Sequence, residues 1–91
     1  MSYYLYILKS VNKNYYYKGI TNNLDRRLKE HFQGQNHNTK SKLPMKLIHV
    51  EICSNLLDAR EMEKYYKSGY GREIIKELAE VLKFLPAGRQ G

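Results

Sequence analysis

The chain has 91 residues, 42% of them hydrophobic, with one cysteine and a formal net charge of +7. That length is enough for one domain with a modest core, and the hydrophobic share argues against disorder. The lone Cys53 excludes an internal disulfide and fits a reducing cytoplasm. Met1-Ser2-Tyr3-Tyr4-Leu5-Tyr6 carries no basic leader and Lys9 interrupts the apolar run, so neither a signal peptide nor a membrane-spanning helix is expected.

Tyr3 to Lys9 is aromatic and aliphatic and reads as a strand, with Tyr4, Tyr6 and Leu8 on one face and Tyr3, Leu5 and Ile7 on the other. The asparagines of Ser10-Val11-Asn12-Lys13-Asn14 mark a turn, and Tyr15 to Ile20 makes the returning strand of an antiparallel hairpin. Tyr17 and Gly19 share one face of it. Asn22 or Asn23 caps a helix that runs to about Gln33 and stops at Gly34, with Asp25 suited to its first turn. Leu24, Leu28 and Phe32 form its apolar stripe; His31 falls inside the stripe's edge and Arg27 just outside, while Arg26, Lys29 and Glu30 point to solvent.

The polar, basic loop from Gln33 to Pro44 leads to a third strand, Met45 to Cys53. Asn55 caps a second helix, about Leu56 to Lys67, with Ala59, Met62 and Tyr66 inward and Glu63 at the stripe's edge. Gly69-Tyr70-Gly71 separates it from a third helix, about Arg72 to Phe84, with Ile75, Leu78 and Leu82 inward. The expected fold is α/β (α+β): a three-stranded antiparallel sheet flanked by three helices over residues 1–84, with 85–91 a disordered tail.

The charge is one-sided. Residues 1–50 carry nine Lys/Arg against two Asp/Glu, whereas residues 51–91 carry seven of each, so the whole excess of +7 lies in the tyrosine-rich half. Such a field attracts polyanions and points to nucleic acid. Cys53, His37 and His49 are too scattered for a zinc site, and neither a Gly-rich phosphate loop nor a Ser-His-Asp pattern is present.

The order of these blocks resembles the GIY-YIG nuclease domain, in particular its short stand-alone bacterial members. Tyr4-Leu5-Tyr6 stands where that family has its first tripeptide and Tyr17-Lys18-Gly19 where it has the second. The segment Ile20 to His31 is similar to the family's linker and arginine helix. Thr39-Lys40-Ser41-Lys42-Leu43-Pro44, Ala59-Arg60-Glu61-Met62-Glu63, and Lys67-Ser68-Gly69 with Gly71-Arg72-Glu73 continue the likeness over about residues 3–77. Two positions depart from the pattern: Tyr4 replaces the first glycine, and Lys18 replaces an aliphatic residue.

The resemblance implies a metal-dependent endonuclease acting on DNA, on branched, flapped or single-stranded forms in repair or recombination. By resemblance Glu63 holds a single Mg²⁺ or Mn²⁺; on the residues alone it is a solvated carboxylate paired with Lys67 at i,i+4. Tyr6 becomes a general base or its relay and Tyr17 a ligand of the phosphate or water, where residues alone suggest a cross-strand aromatic pair. Arg27 would fork onto the phosphate, its alternative being an exposed helix arginine. His31 binds phosphate or accepts a proton, or is simply a half-buried helix histidine. Lys40 and Lys42 are backbone contacts or solvated charge. Lys18 assists phosphate binding, lowers a tyrosine pKa or faces solvent, and we favour the last. A non-catalytic nucleic-acid-binding module on the same scaffold is the alternative function.

Overall fold

The computed structural model describes residues 2–83; Phe84 and the expected tail 85–91 lie outside the described residues. The element order is β1 (Tyr3–Ser10), β2 (Tyr16–Thr21), α1 (Leu24–Phe32), a short 3-10 turn (Lys40–Lys42), β3 (Met45–Cys53), α2 (Leu56–Lys67) and α3 (Gly69–Lys83). The three strands form an antiparallel sheet in the order β2-β1-β3, the α+β architecture expected. None of the helices among the described residues is long and apolar enough to cross a membrane.

β1 is central and therefore covered on both faces, which is why its sequence is a nearly continuous apolar run. Leu5 and Ile7 pack with Ile48, Tyr66, Ile75 and Ala79 under α2 and α3. Tyr6 and Leu8 pack with Met45, Leu24 and Leu28 under α1. Each fully buried aliphatic side chain contributes about 1.5–3 kcal/mol, so this strand anchors both layers. A bulge between Ile7 and Leu8 leaves Ile48 as an extra residue on β3. Beside it Tyr66 donates to Glu51 Oε2 at 2.6 Å, and His49 Nε2 lies 3.0 Å from the same oxygen, tying α2 to β3. Burial works against the Glu51 carboxylate, but the bonds from Tyr66 and His49 hold its pKa below the usual range.

Local signals account for most boundaries. The Asn23 side chain accepts from Arg26 N at 3.1 Å and Asn55 from Asp58 N at 2.8 Å, so both caps fall where their residue type requires. Gly34, at φ +79°, ends the first helix segment in a conformation that favours glycine.

Three details differ from the sequence reading. Phe32 is 45% exposed while His31 is fully buried, so the inner stripe of α1 ends on histidine. Glu30 is half-buried, with Arg27 Nη1 donating to its Oε1 at 3.1 Å. The third helix starts at Gly69, since Gly71 N bonds Ser68 Oγ and Arg72 N bonds Ser68 O. There Gly71 lies against the backbone of Tyr65 and Tyr66, leaving no space for a Cβ and letting α3 turn back tightly onto α2.

Candidate active site

β2 is one edge of the sheet, and alternation sends Tyr17, Gly19 and Thr21 toward α1 and Lys18 and Ile20 toward α2. An open cleft of about 420 Å³ crosses this edge, lined by Tyr17, Lys18 and Gly19 of β2, Arg27 of α1, and Arg60 and Glu63 of α2. The turn into α1 is fixed locally: Thr21 Oγ1 accepts from Asn23 N at 3.0 Å, which starts the helix at the height that brings Arg27 to the cleft.

Behind the cleft lies a buried polar chain. Tyr6 Oη is 2.8 Å from His31 Nε2, and His31 Nδ1 is 2.8 Å from Thr39 Oγ1, with all three residues at most 1% exposed. The rings of Tyr17 and His31 lie 4.9 Å apart and those of Tyr6 and Tyr17 6.1 Å apart. Burial above all, then the neighbouring Tyr17, pushes the Tyr6 pKa well above the usual tyrosine value, against the opposing pull of Arg27. Burial and then Arg27 push the His31 pKa down. Both groups are therefore neutral near pH 7. Two proton arrangements satisfy the chain; when Tyr6 donates to Nε2, Nδ1–H donates to Thr39 and His31 stands as proton acceptor for Tyr6.

Gly19 forms the wall between this chain and the cleft. A Cβ there would stand 2.5 Å from Tyr6 Oη and 2.9 Å from Tyr17 Cε1. The Tyr6 hydroxyl thus lies directly against the cleft-lining Gly19 backbone, and glycine here is required by close approach.

Arg27 has a donor to spare. Its Nη1 is engaged by Glu30, but Nε is buried with no hydrogen-bond partner among the described residues. Burial opposes its charge, yet the Glu30 bond and the nearby Tyr6 raise its pKa above the usual arginine range. Nε is shielded from solvent on the side of the buried tyrosines, so it is the terminal N–H groups of Arg27 that an anion in the cleft would meet.

Glu63 Oε2 accepts from Lys67 Nζ at 3.1 Å, the i,i+4 pair foreseen as the plain reading, and Glu63 is also the carboxylate that lines the cleft. No group of three or more His, Cys, Asp or Glu able to hold a metal occurs among the described residues. Glu63 is thus the one carboxylate lining the cleft among the described residues, and a divalent ion held there would draw its other oxygens from water and phosphate.

Of the residues singled out from sequence, Tyr17, Lys18, Arg27 and Glu63 line one cleft, and Tyr6 and His31 lie directly behind it. Lys40 and Lys42 do not line it; Lys42 Nζ sits 5.0 Å over the Tyr15 ring. Lys18 is half-buried and lines two open cavities, a more enclosed position than that of a fully solvent-exposed lysine. Sequence reasoning did not single out Thr39 and Glu30, which hold His31 and Arg27. No local signal reveals Thr39, since its partner lies across the 33–44 loop; the i,i+3 spacing of Arg27 and Glu30 was available.

The family model of the GIY-YIG catalytic domain matches residues 2–76. The chain belongs to the GIY-YIG family, a family of nucleases. It is 39% identical over 67 residues to a UPF0213 protein of Bacillus licheniformis, covering 72% of this chain and 68% of that protein. A UPF0213 protein of Clostridium perfringens is 38% identical over 65 residues, covering 70% and 69% of the two chains. The solution NMR structure of a UPF0213 protein from Bacillus halodurans superposes with a TM-score of 0.52 at 28% identity, covering 86% of this chain and 85% of that one. Membership of the GIY-YIG family implies a nucleic-acid substrate.

Proposed function

We propose that this GIY-YIG domain is a metal-dependent endonuclease that hydrolyses DNA phosphodiester bonds in the cytoplasm, with branched, flapped or single-stranded DNA from repair or recombination as its substrate. The observation that carries the reading is the cleft itself, which joins Tyr17, Arg27 and Glu63 from three elements.

The roles follow from chemistry. Arg27 offers terminal N–H groups to a phosphate while Glu30 fixes Nη1 and so the orientation of the guanidinium. Tyr17, half-buried in the cleft wall, donates its hydroxyl to the phosphate or positions the attacking water. As that water attacks phosphorus and the P–O bond to the leaving strand breaks, Tyr6 takes the water's proton once a shift at the Gly19 wall brings the water to its hydroxyl, and passes its own proton to His31 Nε2. The raised Tyr6 pKa means that this relay works only with the proton accepted by His31, so Thr39 matters by holding Nδ1–H. Glu63 would hold one Mg²⁺ or Mn²⁺, which when bound supplies charge neutralisation at the phosphoryl and leaving oxygens.

The Glu63–Lys67 pair favours a second reading, a non-catalytic nucleic-acid-binding module in which the carboxylate stays neutralised by lysine. Cleavage of forked DNA by Arg27→Ala and Arg26→Ala separates the two. The nuclease reading expects Arg27→Ala to be inactive. It expects Arg26→Ala to retain most activity, because Arg26 is 61% exposed and paired only loosely with Glu30 at 3.7 Å. Equal activity in both variants would remove Arg27 from the mechanism.

A further inference from the structure

Lys18 lies between two tyrosine-lined spaces. Beside the cleft, a second cavity of about 210 Å³ opens between β2 and α3, lined by Asn14, Tyr16, Lys18, Arg72, Ile75 and Lys76 among others. Lys18 lines both cavities, so it forms the wall they share. Among the described residues, three cations face this second space and no carboxylate lines it. Lys76 reaches Glu73 only at 3.6 Å, with both side chains largely exposed. Lys18 and Arg72 have no ion pair among the described residues.

That is an unfavourable arrangement for an isolated protein. Burial, then Arg72 and Lys67, hold the Lys18 ammonium below the usual lysine range, because each neighbouring cation disfavours its charge. Arg72 also sits in the first turn of α3, where the helix dipole adds further positive potential. Like charges gathered around a half-buried lysine are stabilised when an anion enters between them.

We propose that Lys18, Arg72 and Lys76 form a second phosphate-binding site for a backbone phosphodiester of the same nucleic-acid strand, next to the phosphate held in the cleft. The inference rests on the nucleic-acid reading of the cleft, and the shared wall at Lys18 is what makes a continuous strand the ligand. A strand lying across the β2 edge carries its next phosphate one nucleotide away, and the wall it crosses is Lys18. The lysine that departs from the family pattern thereby acquires a function: it joins the two sites.

Fluorescence anisotropy of a labelled single-stranded oligonucleotide, titrated against KCl in EDTA, tests this without cleavage. Removing one phosphate-binding cation flattens the plot of log K against log salt by about 0.7 for a single strand. Lys18→Met with Arg72→Gln is expected to flatten it by roughly 1.4, whereas Lys83→Gln at the far end of α3 leaves it unchanged. Unchanged slope in the double variant overturns the site, even if the wild-type protein cuts DNA. A flattened slope in a protein that never cuts upholds the site and removes only the nuclease reading. Inorganic phosphate that shifts the Arg72 Nε resonance while the oligonucleotide slope stays unchanged would mark a free-phosphate site and overturn the proposal. Lys18→Met is expected to melt at the wild-type temperature or above, since repulsion is relieved; a lower melting temperature contradicts the electrostatic argument.

Discussion

Replacing Gly19 with alanine is a one-carbon change that reaches from the sheet edge to the buried proton chain. The new Cβ would lie 2.5 Å from Tyr6 Oη, 2.6 Å from Tyr6 Cζ and 2.9 Å from Tyr17 Cε1. Tyr6 cannot yield as a surface side chain would, because it is 1% exposed and its hydroxyl is bound to His31 at 2.8 Å. Overpacking a filled core costs about 1–3 kcal/mol. If the ring moves far enough to break the His31 bond, a buried donor and acceptor are separated at a further cost of about 1–3 kcal/mol. With both costs the expected destabilisation is roughly 2–6 kcal/mol, and at roughly 4–8 °C per kcal/mol the melting temperature of a domain this size falls by roughly 8 °C or more. Thermal unfolding followed by circular dichroism measures it, with Gly69→Ala as the control, since no heavy atom lies within 4 Å of a Cβ at that position. If Gly19→Ala melted within a degree or two of wild type with the His31 imidazole resonances unmoved, the close approach of Tyr6 to the cleft wall would be wrong.

Two other outcomes follow from the same buried polar chain. Thr39→Val keeps the shape but strands His31 Nδ1, so it is expected to cost about 1–3 kcal/mol and to change the tautomer read from imidazole nitrogen shifts; an unchanged tautomer would show that Thr39 does not set it. His31 has a lowered pKa in the folded protein, so the unfolded chain binds its proton first as pH falls. Stability is full above the ordinary histidine value of about 6.5 and declines from there toward the lower folded pKa, by about 1.4 kcal/mol for each unit between them. Denaturant unfolding across that window is expected to show this decline in wild type and its absence in His31→Gln. The lowered Glu51 pKa adds a second decline only below the ordinary carboxylate range.

The local signals in the sequence were strong wherever one residue decides one boundary. Asn23, Asn55 and Gly34 each act on the backbone close by, and the helices begin or end where those residues dictate. The apolar run of Tyr3–Ser10 correctly marked the strand that is buried on both faces. What was not legible depends on partners distant in the chain. His31 is drawn inward by Tyr6 and Thr39, which outweighs the greater hydrophobicity of Phe32 beside it. The early start of α3 reflects Ser68 capping and the close seat of Gly71 on α2, although Gly69-Tyr70-Gly71 reads locally as a break. The enclosed position of Lys18 was not legible because alternation on an edge strand gives no hint of Arg72, which arrives from another helix. The residues of the candidate site could be named from sequence, but not their layering, with Tyr17, Arg27 and Glu63 in the cleft and Tyr6 and His31 behind it.

The most direct test of the account is cleavage of plasmid and forked DNA by the purified chain, with and without Mg²⁺, beside Glu63→Ala. Cutting that requires the metal and disappears in Glu63→Ala is the expected result. Wild-type protein that binds both DNAs but never cuts them, or a Glu63→Ala variant that cuts as well as wild type, would contradict the account.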